Sequence, residues 1–170
     1  MIEEEDNEKK CLNAAIKLLA RKDYSKFKLE KKLEEKNFGT ETISNVLNDL
    51  IEKKYFIEKV YQEGRIKGLI RKGYSFEAIF FKMEQEKCPT TRCEISTIAE
   101  ELKIDENSIL EKLIEKKVRL ESENFKNKKK FREKVLRFAQ SHGHNLSQAD
   151  RIFEKLYQKS FPDKSIDISL

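Results

Sequence analysis

Apolar residues recur along this chain three and four positions apart, in short runs separated by polar corners. Leu29 and Leu33 follow that spacing, and so do Ile43, Val46, Leu47, Leu50 and Ile51, which predicts amphipathic helices. No stretch alternates long enough for a strand, and no hairpin signal is present. The pattern then returns at an offset of 50 residues: Leu19-Ala20-Arg21-Lys22-Asp23-Tyr24-Ser25 lies over Leu69-Ile70-Arg71-Lys72-Gly73-Tyr74-Ser75. Both copies read Leu-x-Arg-Lys-x-Tyr-Ser. The register extends to Ile16 and Lys17 over Ile66 and Lys67, and to Leu29, Leu33 and Glu34 over Ile79, Met83 and Glu84.

Each copy reads as a helix, a break and a second helix, with Ser25 or Ser75 capping the second through its hydroxyl. In the first copy Asn37-Phe38-Gly39 makes a corner, Gly39 is available for a left-handed backbone position, and Thr40 caps a third helix. In the second copy the loop Cys88-Pro89-Thr90-Thr91 intervenes. Thr91 and Glu94 then form a capping box ahead of Ile95, Ile98, Ala99 and Leu102. A divergent third copy opens at Asp105 or Asn107 and runs through Ile109, Leu110, Leu113, Ile114 and Val118. A basic helix with Phe131, Val135, Phe138 and Ala139 follows. His142-Gly143-His144 is its corner, and Ser147 caps a last helix with Ala149, Ile152, Phe153 and Leu156. The expected fold is therefore all-α. It has nine helices in three tandem three-helix repeats, 1–58, 59–104 and 105–160, with a tail over 161–170. Units this small gain by stacking on neighbours, which predicts an elongated, curved array.

Composition supports helices, with five Gly, two Pro and no Trp in 170 residues, of which 39% are charged. No apolar run reaches the roughly 18 residues of a membrane span. The acidic start Met1-Ile2-Glu3-Glu4-Glu5-Asp6 lacks the apolar stretch of a signal peptide. Three cysteines, an odd number, fit reduced thiols in the cytoplasm. The net charge is +5, and residues 110–140 carry eleven Lys/Arg against five Glu. Such a balance permits nucleic-acid or acidic-protein partners.

Catalytic and metal readings are weak. Cys88 and Cys93 form a C-x4-C pair without a second pair, and His142 with His144 fits a polar corner better than a zinc site. The scattered glycines build no phosphate loop. Glu34-Glu35 and Glu100-Glu101 suit solvated helix faces. No enzyme, metal or cofactor is expected. Arg21, Lys22 and Tyr24, with their counterparts Arg71, Lys72 and Tyr74, are candidate partner contacts. As helix-end cations they also suit the helix dipole. The denser run Lys126, Lys128, Lys129, Lys130, Arg132, Lys134 and Arg137 is a second candidate.

Ala15-x-x-Leu18-Leu19-Ala20-Arg21-Lys22-Asp23-Tyr24-Ser25, followed by Leu29, Leu33, Phe38, Ile43, Val46, Leu47 and Leu50, resembles the first repeat of the RecX family. Arg71-Lys72-Gly73-Tyr74-Ser75 with Ile79 resembles the second, and Lys116-Lys117 with Gly143 echoes the third. The chain departs from the family pattern in its corners (Asn37-Phe38, Cys88-Pro89, Gly143-His144) and at Lys54-Tyr55-Phe56-Ile57-Glu58. The resemblance implies a monomeric, cytoplasmic regulator of DNA repair, homologous recombination and the SOS response. It would bind RecA filaments on single-stranded DNA and inhibit ATP hydrolysis, strand exchange and co-protease activity, with weak nucleic-acid contact through the basic third repeat. The alternatives are a DNA-binding protein of helix-turn-helix-like three-helix units and a helical scaffold.

Overall fold

The computed structural model describes residues 2–121 and 128–160. Among these, every regular element is a helix: α1 (Ile2–Leu19), α2 (Lys26–Glu34), α3 (Thr40–Glu52), α4 (Glu58–Arg71), α5 (Phe76–Gln85), α6 (Arg92–Glu101), α7 (Glu106–Glu121), α8 (Lys128–Ser141) and α9 (Leu146–Ser160). None is long and apolar enough to cross a membrane. The fold is all-α, as the periodicity predicts. The chain divides into two compact units, one of residues 1–66 and 80–91, the other of 67–79 and 92–170. Helices α4 and α5 contribute to both.

In the first unit α1, α2 and α3 pack on one another around Ala15, Leu29, Leu33, Ile43, Leu47 and Leu50. All of these but Ala15 are picked out by the helical spacing, which also picks out Ile51, an exposed residue. In the second, α7, α8 and α9 pack together around Leu110, Ile114, Val135, Ala149 and Phe153.

Helix starts follow side-chain caps. Ser25 Oγ accepts the Lys28 amide at 3.3 Å, and Ser75 Oγ accepts that of Ala78 at 3.1 Å. Asp105 Oδ1 accepts from Ser108 N at 2.9 Å and so opens α7. Two expectations fail. Gly39, at φ −69°, is itself the N-cap of α3, and Thr40 is its first helical residue. The last helix is capped by Asn145, whose Oδ1 accepts from Ser147 N and Gln148 N at 2.9 and 3.2 Å. Ser147 is thus already inside α9, and Asn145 reaches the free amides first.

Helix ends share one device. Asn37, Lys54, Gly73, Lys87, Lys103 and Gly143 all have positive φ. After each, the next amide reaches back five residues, as in Tyr55 N to Leu50 O at 2.9 Å, Cys88 N to Met83 O at 3.0 Å and Ile104 N to Ala99 O at 3.0 Å. These bonds satisfy carbonyls that the helix leaves unpaired. The left-handed position at the first corner belongs to Asn37 rather than Gly39, because it must fall just past the end of α2 and not at the start of α3.

A polar knot ties the first unit across its helices. Glu86, just past α5, accepts from Lys28 Nζ of α2 at 2.7 Å and from Tyr61 Oη of α4 at 2.9 Å. It also accepts from Arg65 Nε at 3.1 Å and from Arg65 Nη2. Burial alone would raise the Glu86 carboxyl, but the bonds from Arg65, Lys28 and Tyr61 win and hold it at about 2. The Glu58 carboxylate also accepts the Lys26 amide at the start of α2, at 3.1 Å.

Glu86→Gln is expected to destabilise the protein by roughly 1–3 kcal/mol, between an exposed and a buried ion pair. Because the folded-state value lies below the ordinary 4.5, this stabilisation is complete above that value and is lost as pH falls towards about 2. Thermal unfolding of both proteins at pH 7 and pH 3 checks it. The gap between them shrinks at pH 3, and a gap independent of pH contradicts the role of Glu86.

Candidate functional site

The second unit carries a groove of about 560 Å3 along one face of α7. All five charged side chains lining it are basic: Arg71 and Lys72 at the end of α4, and Lys112, Lys116 and Lys117 on α7. Its floor is Ile70, Ile104, Ile109, Leu113, Leu120 and Phe138. At about 100° per residue, Ile109, Leu113 and Leu120 share a face with the three lysines, within an arc of roughly 140°. Glu111 and Glu115 fall outside that arc, and Glu111 sits 4.0 Å from Lys155 of α9. The apolar face of α7 that serves the core, Leu110, Ile114 and Val118, is a separate one. Helix α7 therefore has two apolar faces, and the second ends in Leu120, which is 68% exposed.

The turn that carries Arg71 and Lys72 is fixed from behind by the α8–α9 corner. Gly73 has φ +87°, and a Cβ there would lie 2.7 Å from Leu113 Cδ1. Gly143 has φ +82°, and its Cβ would lie 2.5 Å from Ala78 Cβ. Only glycine suits either position. Ser75 N donates to His142 O at 3.0 Å. The Tyr74 ring stacks on His142 with centroids 4.7 Å apart. His144 Nε2 lies 2.8 Å from Gly73 O. A carbonyl only accepts, so the proton of neutral His144 is on Nε2. Burial pushes the His144 imidazole below its ordinary range, against the Gly73 bond and the nearby Glu106 carboxylate, while His142 adds to the lowering.

The candidate contacts separate. In the first unit Lys22 Nζ sits 4.7 Å above the Tyr24 ring, Tyr24 is buried, and Arg21 is exposed beyond the end of α1. In the second, Arg71 and Lys72 are exposed at the groove while Tyr74 is turned onto His142. The duplicated motif thus has two different settings.

The basic run on α8 does not act as one face. Lys128 pairs with Glu154 at 2.8 Å and lies 4.9 Å over the Tyr157 ring. Arg132 grips Asp150 through Nε at 2.6 Å and through Nη2. These two side chains, one turn apart, bind α8 to α9. Lys129, Lys130, Lys134 and Arg137 are exposed, and Arg137 Nε also donates to Glu133 O at 3.4 Å. Lys126 lies outside the described residues.

The sequence reading missed Lys112 altogether and took Phe138 for core. Phe138 instead lines the groove, with Lys117 Nζ 4.8 Å from its ring centre. The available signal was the sorting of lysines from glutamates around α7. Among the described residues no three His, Cys, Asp or Glu side chains gather as metal ligands. Burial raises the thiols of Cys11 and, to about 11, Cys88, whereas Cys93 is exposed.

Three comparisons bear on this geometry. The family model described as RecX, first three-helix domain, matches residues 11–50. Regulatory protein RecX of Clostridium perfringens (strain SM101 / Type A) is 30% identical over 173 residues, covering 94% of this chain and 74% of the relative. Regulatory protein RecX of Haemophilus influenzae (strain ATCC 51907 / DSM 11121 / KW20 / Rd) is 29% identical over 133 residues, covering 78% and 86%. The crystal structure of RecX from Lactobacillus salivarius superposes with a TM-score of 0.62 at 20% identity, over 89% of this chain and 97% of that one.

The His144 geometry makes stability sensitive to pH. The folded state binds fewer protons than the unfolded one, so stability rises with pH through the imidazole range and is lost as pH falls below about 6.5. Between pH 7.5 and 5.5 the melting temperature of His144→Gln, which keeps a donor without the titration, should fall less than that of the wild type. Equal slopes would remove His144 as the cause.

Proposed function

The chain belongs to the RecX family of regulatory proteins, and on that footing we propose that it binds RecA filaments on single-stranded DNA and lowers their activity. Family membership over nearly the whole chain is the observation that carries this reading. The basic groove of the second unit supports it, because five cations over an apolar floor suit a partner's acidic surface. In this reading the protein acts without a cofactor, in the cytoplasm, as a monomer. It works in DNA repair, recombination and the SOS response by occupying the filament's own helical groove. Its three repeats, 1–58, 59–104 and 105–160, meet successive protomers. Arg71 and Lys72 are contacts in the second repeat, and Arg21 and Lys22 are their counterparts in the first. Tyr24 and Tyr74 hold the two turns rather than the partner.

A second reading rests on the exposed row Lys129, Lys130, Lys134 and Arg137, which suits a DNA backbone. Lys128 and Arg132 are turned onto α9, so this reading counts the four exposed cations as phosphate contacts. Duplex binding would then fall with a log–log salt slope near −3.6, at roughly −0.9 per phosphate.

Two experiments decide. Adding the protein at substoichiometric to equimolar ratio to cognate RecA on single-stranded DNA is expected to lower ATP turnover. The double reversal Arg71→Glu, Lys72→Glu should weaken that effect at least tenfold while shifting thermal stability little, since the helix-end term is roughly 0.3–1 kcal/mol per cation. Unchanged turnover with folded wild-type protein contradicts the proposal. In a salt titration, filament binding should persist at physiological ionic strength while binding to bare duplex fades, and Lys129→Gln, Lys130→Gln, Lys134→Gln should flatten only the duplex slope. Tight duplex binding without preference for filaments would favour the second reading.

A further inference from the structure

We propose that the α7 groove is a docking site for an acidic amphipathic peptide segment, in which carboxylates flank aliphatic side chains. The protein that carries this segment is the filament partner only insofar as the reading above holds. The groove's own chemistry argues for the ligand class. Five cations and no carboxylate line it, so its field is positive and favours an anionic ligand. The floor is aliphatic and stays partly uncovered at Leu120, so an acidic ligand without apolar side chains would leave half of the site unused. From Ile109 to Leu120 the floor follows α7 for about 16 Å, at 1.5 Å per residue. That length fits a peptide of about five extended residues or about three helical turns, longer than a single small anion.

Single-stranded nucleic acid would meet the same cations but needs aromatic platforms for its bases. The one aromatic ring in the lining is Phe138, and Lys117 already covers it. The site is also held in shape without its ligand. Gly73 lets Leu113 press against the turn, and the Ser75–His142 and His144–Gly73 bonds fix that turn against the α8–α9 corner. A preformed groove spends little binding energy on ordering itself.

The test uses the full chain and a dye-labelled twelve-residue peptide of alternating glutamate pairs and leucines, followed by fluorescence anisotropy. Two peptides of equal length serve as controls, one with every Glu replaced by Gln and one with every Leu replaced by Glu. A twelve-nucleotide oligothymidine is the third probe. The amphipathic acidic peptide should bind at least tenfold more tightly than any of the three. Lys112→Glu with Lys116→Glu, both exposed, and separately Leu120→Asp, should each cut that affinity at least tenfold with an unchanged thermal midpoint. No binding, equal binding of the all-Glu peptide, or tighter binding of oligothymidine lost in the same variants would each overturn the proposal. The RecA assay separates the two claims. Peptide binding abolished by Lys112→Glu, Lys116→Glu while RecA inhibition persists leaves the docking site standing and removes its tie to the filament. Absence of peptide binding removes the docking site whatever RecA does.

Discussion

The second unit depends on one contact between two turns. Gly143 lies so close to Ala78 and Ser75 that no Cβ fits between them. That approach brings Ser75 N onto His142 O and His144 onto Gly73 O. It sets the end of α4 beside α7 and so creates the groove. If the approach opened, Arg71 and Lys72 would still be basic and exposed, but no longer in register with Lys112 and Lys116. The basic groove is thus a consequence of backbone packing at a pair of glycines, and its charges are added to a shape already made.

Polar ties of this kind suit a chain with 39% charged residues. Short helices expose much of their surface, and each unit has a modest apolar core. Glu86 in the first unit and the Arg132–Asp150 pair in the second join helices through their polar sides, outside the apolar core. Such bonds add orientation more than bulk stability, because desolvation offsets much of their attraction. Lys128 and Arg132 of α8 hold the fold in the same way.

Much of this was legible in the sequence, for a physical reason. Burial of one helix face leaves a periodic trace, so Leu29, Leu33, Leu47, Ile79, Ile114 and Val135 could be placed in cores from spacing alone, and all are buried. Ser25, Ser75 and Asp105 announced helix starts because a cap needs only local chain. Helix ends were harder. Four of the six left-handed residues are Asn or Lys rather than Gly, and the i to i−5 bonds that stabilise them have no strong side-chain signature. Two helix starts were misplaced by one or two residues, because Gly39 caps α3 without any side chain and Asn145 competes with Ser147, an equally good capping residue. The groove was hidden because its walls come from residues 70–73, 104–120 and 138, and no local pattern says that these meet. Lys112 and Phe138 look like ordinary surface and core until α4 and α8 are placed beside α7.

The proposed contact of this protein with RecA filaments runs through the α7 groove. Hydrogen–deuterium exchange of the full chain, alone and with RecA assembled on single-stranded DNA, tests it most directly. Slower exchange on filament addition is expected in the turn at 70–73 and along 109–120. Unchanged exchange throughout the chain, or protection confined to α8, would contradict it.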